Sequence, residues 1–254
     1  MTSPRRRRKP DRKVHFSDPS EFPPIWMLKE DLRTVAQFDR LLARDGTLGV
    51  RNDDDVSLRK REIRIASGRS DLHELPLPDD FPPILLVMAD ADYAPDYFSF
   101  GRHEFCSRRL RDILAQPPEV LQFLPVDLVA GGEAVRVQDY RRMHLLAQQP
   151  VMDMDRSEYK VNAFFPHIPE TTLKSVDWVD LFVLLEGFQP RTEIFRPDET
   201  TCFTLVTDAL AARVLHSGCT GMTFRDPITP IHGMRVDRYR TTTGIAERRV
   251  GFLD

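Results

Sequence analysis

The stretch that decides the fold class runs from Tyr97-Phe98-Ser99-Phe100 through Cys106-Ser107-Arg108-Arg109-Leu110-Arg111-Asp112-Ile113-Leu114 to Val120-Leu121-Gln122-Phe123-Leu124-Pro125-Val126. Its first four residues read as a strand. Leu110, Ile113 and Leu114 recur at helical spacing behind Ser107, which stands where an N-cap belongs, and Pro117-Pro118 stops the helix. Apolar Val120 to Val126 then reads as a second strand. The same grammar returns further on: Cys202-Phe203-Thr204-Leu205-Val206 leads into Thr207-Asp208, a helix holds Leu210, Val214 and Leu215, Gly218 closes it, and Gly221-Met222-Thr223-Phe224 extends before Asp226-Pro227. Ser107 corresponds to Thr207 and Leu110 to Leu210 at one constant offset. Two copies are too few for a solenoid, so the expectation is an α+β protein, a single globule or two related lobes, each built on a strand-helix-strand unit duplicated around 97–126 and 194–226.

Outward from these blocks the signals are plainer. Phe22-Pro23-Pro24-Ile25-Trp26 reads as an extended lead-in. Leu28, Leu32, Val35, Phe38, Leu41 and Leu42 predict an amphipathic helix stopped near Gly46. Glu62-Ile63-Arg64-Ile65 alternates like a short strand, Leu75 to Phe81 reads as a proline-rich connector, and Ile84-Leu85-Leu86-Val87 as a buried strand. Tyr140 to Tyr159 supplies further strand or helix, and Trp178 to Leu185 reads as core. Beyond Pro230 the periodicity fades. The expected organisation is a disordered basic tail over 1–20, an N-terminal helix and loops packed on the body over 21–80, an α+β domain over 81–230, and a loosely ordered segment over 231–254.

The chain of 254 residues is 41% hydrophobic and 30% charged, which excludes wholesale disorder. No apolar run approaches the ~18 residues of a membrane-spanning helix, and no apolar core of a secretory signal follows the basic start, so a cytoplasmic protein without membrane contact is expected. The net charge is -3, but it is unevenly spread. Arg5, Arg6, Arg7, Arg8, Lys9, Arg12 and Lys13 against Asp11 give +6 over residues 1–13, which leaves -9 for the rest. An acidic body repels nucleic acid and steers basic partners, whereas an arm from Arg5 to Lys13 has the opposite preference.

Motifs of catalysis are sparse. GxSxG, HExxH, GxxxxGK[ST] and GxGxxG are all missing, and Cys106, Cys202 and Cys219 form no zinc pattern, so neither metal nor other cofactor is expected. Asp153-Met154-Asp155 presents alternate carboxylates of a kind that can hold a divalent cation, although a charged turn is the commoner use of such a triplet. Asp53-Asp54-Asp55 lacks the remaining ligands of a calcium loop. Cys106, next to a helix start, is a candidate nucleophile, with a buried apolar role as its alternative. His103, His144, His167 and His216 stand singly. An uncharacterised hydrolase or transferase using Asp153, Asp155 or Cys106 is therefore one reading, and a nucleic-acid-associated protein using the basic arm another.

A third reading comes from resemblance. Phe105 to Leu114 followed by Val120 to Val126 resembles the first signature of a family of immunity proteins from bacterial polymorphic toxin systems. Met152-Asp153-Met154-Asp155-Arg156-Ser157-Glu158, after a stretch led by Tyr140, resembles that family's central acidic segment. Ile194-Phe195-Arg196, Leu205-Val206-Thr207-Asp208-Ala209-Leu210 and Gly218-Cys219-Thr220-Gly221-Met222-Thr223-Phe224 are similar to its closing strand, helix and "G-x-T-G-x-x-F" end. The resemblance spans roughly residues 80–227 and leaves out both the arginine-rich start and the segment after Pro230. It implies a non-enzymatic protein that binds and neutralises a cognate toxin domain and so protects the producing cell, with the shared motifs as scaffold. Asp53, Asp54, Asp55, Asp79, Asp80, Asp90 and Asp92 are the candidate toxin-contact charges, each of which solubility alone also explains.

Overall fold

The computed structural model describes residues 25–31, 49–51, 74–88, 95–100, 103–130, 140–164, 173–200, 203–227 and 236–249. These form strands β1 (Ile25–Glu30), β2 (Gly49–Arg51), β3 (Ile84–Met88), β4 (Tyr97–Phe100) and β5 (His103–Ser107), helix α1 (Arg108–Leu114), and strands β6 (Leu121–Ala130), β7 (Tyr140–Leu145), β8 (Gln148–Gln149), β9 (Glu158–Phe164) and β10 (Leu173–Leu181). Next come β11 (Ile194–Pro197), β12 (Thr204–Thr207), helix α2 (Asp208–Ser217), β13 (Met222–Arg225), β14 (Val236–Thr241) and β15 (Gly244–Arg249). One sheet has the order β15-β14-β13-β1-β12-β11-β8, a second β2-β3-β6-β7-β5-β4, and β9 pairs with β10. Few helices and many strands make this an α+β protein.

Each large sheet holds one strand-helix-strand unit, and in each the helix carries the chain over one intervening strand. β5 and β6 both run antiparallel to β7; β12 and β13 both run antiparallel to β1. The expected caps are present. Ser107 Oγ accepts the Leu110 N–H at 3.2 Å and Thr207 Oγ1 the Leu210 N–H at 3.3 Å, both from extended backbone. Gly218 ends α2 in the left-handed conformation at φ 71°.

The two helices meet in the main core. Leu110 and Leu114 of α1 and Leu210 and Val214 of α2 pack with Trp26, Leu28, Cys106, Val206 and Phe224. Alternate residues of the same strands fill a second core on the far face of the first sheet, where Ile25, Met27, Phe195 and Leu205 meet Val151, Val176, Val179 and Phe182.

Three expectations are corrected. Leu28 to Glu30, assigned to the start of a helix, lie in β1; the rest of that helix lies outside the described residues. β1 is central, so Ile25, Trp26, Met27 and Leu28 are all buried, and burial on both faces erases the alternation that marks a strand. Of the segment over 231–254, expected to be loosely ordered, the described residues 236–249 form the β14–β15 hairpin through a turn at Thr242-Thr243, tied to the body by Arg240, whose Nε donates to Asp208 Oδ1 at 2.7 Å. In the Trp178 to Leu185 run, Val179 and Phe182 are buried, but Leu185 is exposed where the chain leaves β10. The connector through Leu75 to Phe81 and the strand at Ile84 stand as read. The strand expected at Glu62 to Ile65 lies outside the described residues.

Candidate interaction surface

The residues proposed for chemistry serve the scaffold. Asp153 Oδ1 accepts the N–H groups of Asp155 and Arg156, both at 3.1 Å, and its carboxylate lies 3.7 Å from the Arg156 guanidinium. This is the charged turn, closed by an aspartate in the manner of an Asx-turn; Asp155 itself is exposed. Cys106 lies at the end of β5, immediately before the Ser107 cap of α1, and is fully buried. Burial pushes its thiol up to about 12, against the smaller opposing influence of Arg111 and Arg141, so it is held in the unreactive form. Burial also raises the Cys219 thiol. Cys202 and His167 lie outside the described residues. His144 Nε2 meets the Leu75 carbonyl at 2.8 Å, His216 Nδ1 meets that of Ala212 at 2.7 Å, and His103 is buried beside Phe105. Among the described residues no group of three His, Cys, Asp or Glu is placed to hold a metal ion. An apolar void between the helices and the sheets, lined by Leu28, Leu110, Met143, Leu210 and Phe224, has a free volume of about 10 Å³, the space of about one water.

Three polar clusters that sequence reasoning missed brace the fold, and the first two join its halves. Glu104 of β5 accepts from Tyr97 Oη at 2.7 Å, from Arg196 Nη2 of β11 at 3.3 Å and from Thr204 Oγ1 of β12 at 3.5 Å, so one carboxylate ties the second sheet to the first. Asp96, just before β4, accepts from Ser107 Oγ at 2.6 Å and from the Thr220 N–H at 2.8 Å. Asp208, the first residue of α2, takes the Trp26 indole N–H at 2.7 Å besides Arg240. Of these, only Asp208 carries a signal in the sequence, an acid in the first turn behind a threonine cap. The other two depend on contacts between distant segments.

Two carboxylates flanking β11 are perturbed in opposite directions. Glu193 is held below the usual carboxylate range by its paired hydrogen bonds from Arg213, both 2.6 Å. Glu199 is raised because burial outweighs the Val151 and Met152 N–H groups that it accepts. Glu199 thereby holds the backbone that follows β8, and Glu193 links the segment before β11 to Arg213 of α2 and to Gln116.

What remains for a partner is surface. Asp79 and Asp80 lie exposed on a turn closed by the Phe81 N–H and the Pro78 carbonyl. Asp53, Asp54, Asp55, Asp90 and Asp92 lie outside the described residues. Elsewhere Asp155, Arg156, Glu158 and Lys160 are exposed, as are the apolar Val161 and Leu185. Among the described residues no helix is long and apolar enough to cross a membrane.

A family model described as an immunity protein family (Imm11) matches residues 35–228, well over half of the chain. The match covers both strand-helix-strand units and begins earlier than the sequence resemblance. No curated protein matches.

Proposed function

The chain belongs to the Imm11 immunity protein family, and from that premise we propose that it neutralises a cognate bacterial effector toxin by binding the toxin domain directly, in the cytoplasm of the cell that makes it. The observation that carries this reading is the match over residues 35–228, which embraces both capped helices with the strands on either side of them and the clusters that join the halves. Binding rather than catalysis agrees with the state of the residues proposed for chemistry: the Asp153 carboxylate is spent on its own turn and the Cys106 thiol is buried. The acidic surface, represented by exposed Asp79 and Asp80 and extended in sequence by Asp53, Asp54, Asp55, Asp90 and Asp92, steers a basic toxin towards its contact. The two units, alike in cap, strand order and helix crossing, are in this reading a duplicated scaffold that carries the contact surface.

The test is a pull-down of the tagged full chain from its native host with the toxin machinery expressed, followed by growth rescue in cells making the recovered protein. Stoichiometric recovery of one toxin domain, with rescue, is the expected result. Rescue without a stable complex would overturn direct binding, and rescue that is lost in an Asp153→Asn or Cys106→Ser variant that still folds would return the enzyme reading.

A further inference from the structure

We propose that the β14–β15 hairpin is a strap, which opens as a unit from the edge of β13 while both cores stay closed, with the Arg240–Asp208 fork as its catch.

The main-chain tie to the body is short. β14 lies beside β13 at Phe224–Arg240 and Arg225–Tyr239, and the Asp226 N–H donates to the Arg238 carbonyl at 2.9 Å. That bond turns the backbone groups of Arg238 towards β13, and alternation does the same for Arg240 two residues on. Arg240 lies directly opposite Phe224, so those two residues exchange both of their bonds. Two rungs, at 224 and 226, therefore hold the strap, whereas its own ladder runs over the six pairs from Val236–Arg249 to Thr241–Gly244. Side-chain packing adds little. From Arg238 to Ile245 no residue is fully buried, and Ile245, opposite Arg240 and on the same face, is 39% exposed. Among the described residues neither core takes a member from the hairpin. Elements with few buried apolar contacts are those that open below global unfolding.

The fork fastens this loosely packed element. Arg240 Nε donates to Asp208 Oδ1 at 2.7 Å and Nη2 to Oδ2 at 3.3 Å, with the arginine side chain 17% exposed. Nη1 turns back to the Thr241 carbonyl at 2.7 Å, so one guanidinium grips both the turn of the hairpin and the body. The receiving side stands without the strap: Asp208 opens α2 behind the Thr207 cap, and its Oδ1 also takes the Trp26 indole N–H at 2.7 Å. Paired charge-assisted bonds are the strong ones, and a helix start favours the acid. Arg238 and Tyr239 add contacts of their own. On opening, the N–H and C=O groups of Phe224 and Asp226 lose their partners, and the rim of the main core at Phe224, 1% exposed with the strap closed, is uncovered. The sheet thus has an edge that opens and shuts without unfolding the body.

The experiment is amide hydrogen exchange of the full chain, read residue by residue over a series of denaturant concentrations below the unfolding transition, for the wild type and Arg240→Met. In the wild type the amides of Phe224, Asp226 and Arg240 are expected to exchange through one common opening. They should do so more readily than the amides paired between β6 and β7, and with a much shallower dependence on denaturant, because little surface is exposed. In Arg240→Met the same three amides should exchange about tenfold faster with the shallow dependence kept. Added salt, which speeds them in the wild type by screening the fork, should no longer do so. A steep dependence shared with the β6–β7 amides overturns the strap, since the hairpin then leaves only when the whole fold does. Three unlike rates overturn opening as a unit, and wild-type rates in Arg240→Met overturn the catch.

Discussion

The two strand-helix-strand units share their caps and strand order, yet they complete their sheets in different ways. In the unit around α1 the strand between β5 and β6 is β7, which follows β6 in the chain and returns beside it. In the unit around α2 the corresponding strand is β1, and its contact with the helix, Trp26 on Asp208, joins residues 182 positions apart. The first unit is local and the second closes only when the beginning of the described chain has docked. Loop closure over so long a separation is costly and comes late. The same local grammar thus yields two sheets whose assembly differs, and the substitutions below test how far the likeness extends.

The largest effect is expected where the units abut. Gly221 sits at φ 92°, and a Cβ there would collide with the Tyr97 carbonyl oxygen, a backbone atom that cannot step aside. The Gly221 carbonyl also accepts the Asp31 N–H at the end of β1, and the neighbouring Thr220 carbonyl accepts the Tyr97 N–H at the start of β4. Gly221→Ala therefore separates the end of one unit from the beginning of the other. A loss of ~4 kcal/mol or failure to fold is expected in denaturant unfolding. Next come Leu110→Ala and Leu210→Ala, equivalent positions that are 1% and 0% exposed. Each should cost ~3 kcal/mol. Equal losses would extend the likeness to packing, whereas a difference of more than ~1 kcal/mol would show that one helix collapses onto its cavity more readily than the other.

The two capped helices and the strands that follow them were legible because their information is local, whereas β5, which leads into α1, was not read apart from Tyr97–Phe100, the strand β4 beside it. Ser107 and Thr207 cap through the third residue on, Gly218 ends α2, and the apolar steps at 110 and 114 and at 210 and 214 face the core, all within one turn or two of the signal. β1 was not legible, since Trp26 and Leu28 face one core and Ile25 and Met27 the other, so no alternation survived. The β14–β15 hairpin was missed because its arginines look like a solvated tail until Asp208 is brought to Arg240. The same holds for the site: the Asp153 turn was readable from neighbouring residues, but Glu104 meeting Arg196, and Asp96 meeting Thr220, required the fold.

The N-caps sharpen the comparison at a smaller scale. Ser107 caps α1 and also donates to Asp96 at 2.6 Å, so its hydroxyl serves both the helix and the junction with Thr220. Among the described residues the Thr207 hydroxyl serves the cap alone. Ser107→Ala should therefore cost ~2 kcal/mol and Thr207→Ala ~1 kcal/mol. In a Ser107→Ala, Asp96→Ala cycle the two losses should fall short of additivity, which denaturant midpoints at constant slope would show.

The C-caps reverse the sense of the effect. α2 ends on Gly218 at φ 71°, while α1 ends on Ala115, which holds φ 30° and ψ 44° with a side chain that disfavours that region. The structure supports the strained alanine from outside: its N–H donates to the Arg111 carbonyl, and Gln116 Nε2 reaches back to the Leu114 carbonyl at 2.7 Å while also meeting Glu193 at 3.0 Å. The end of α1 is thereby pinned to the segment leading into β11, and relief of strain need not disturb it. Ala115→Gly is expected to stabilise by ~0.5 kcal/mol, because the conformational relief is partly offset by the greater freedom of glycine in the unfolded chain. Gly218→Ala should cost ~1 kcal/mol; the new methyl would stand 3.3 Å from Arg109 Nη2, the movable end of a long side chain, so strain at the backbone rather than collision sets the loss. If both substitutions destabilise, Ala115 is held by packing that glycine cannot reproduce, and the two helix ends obey different rules.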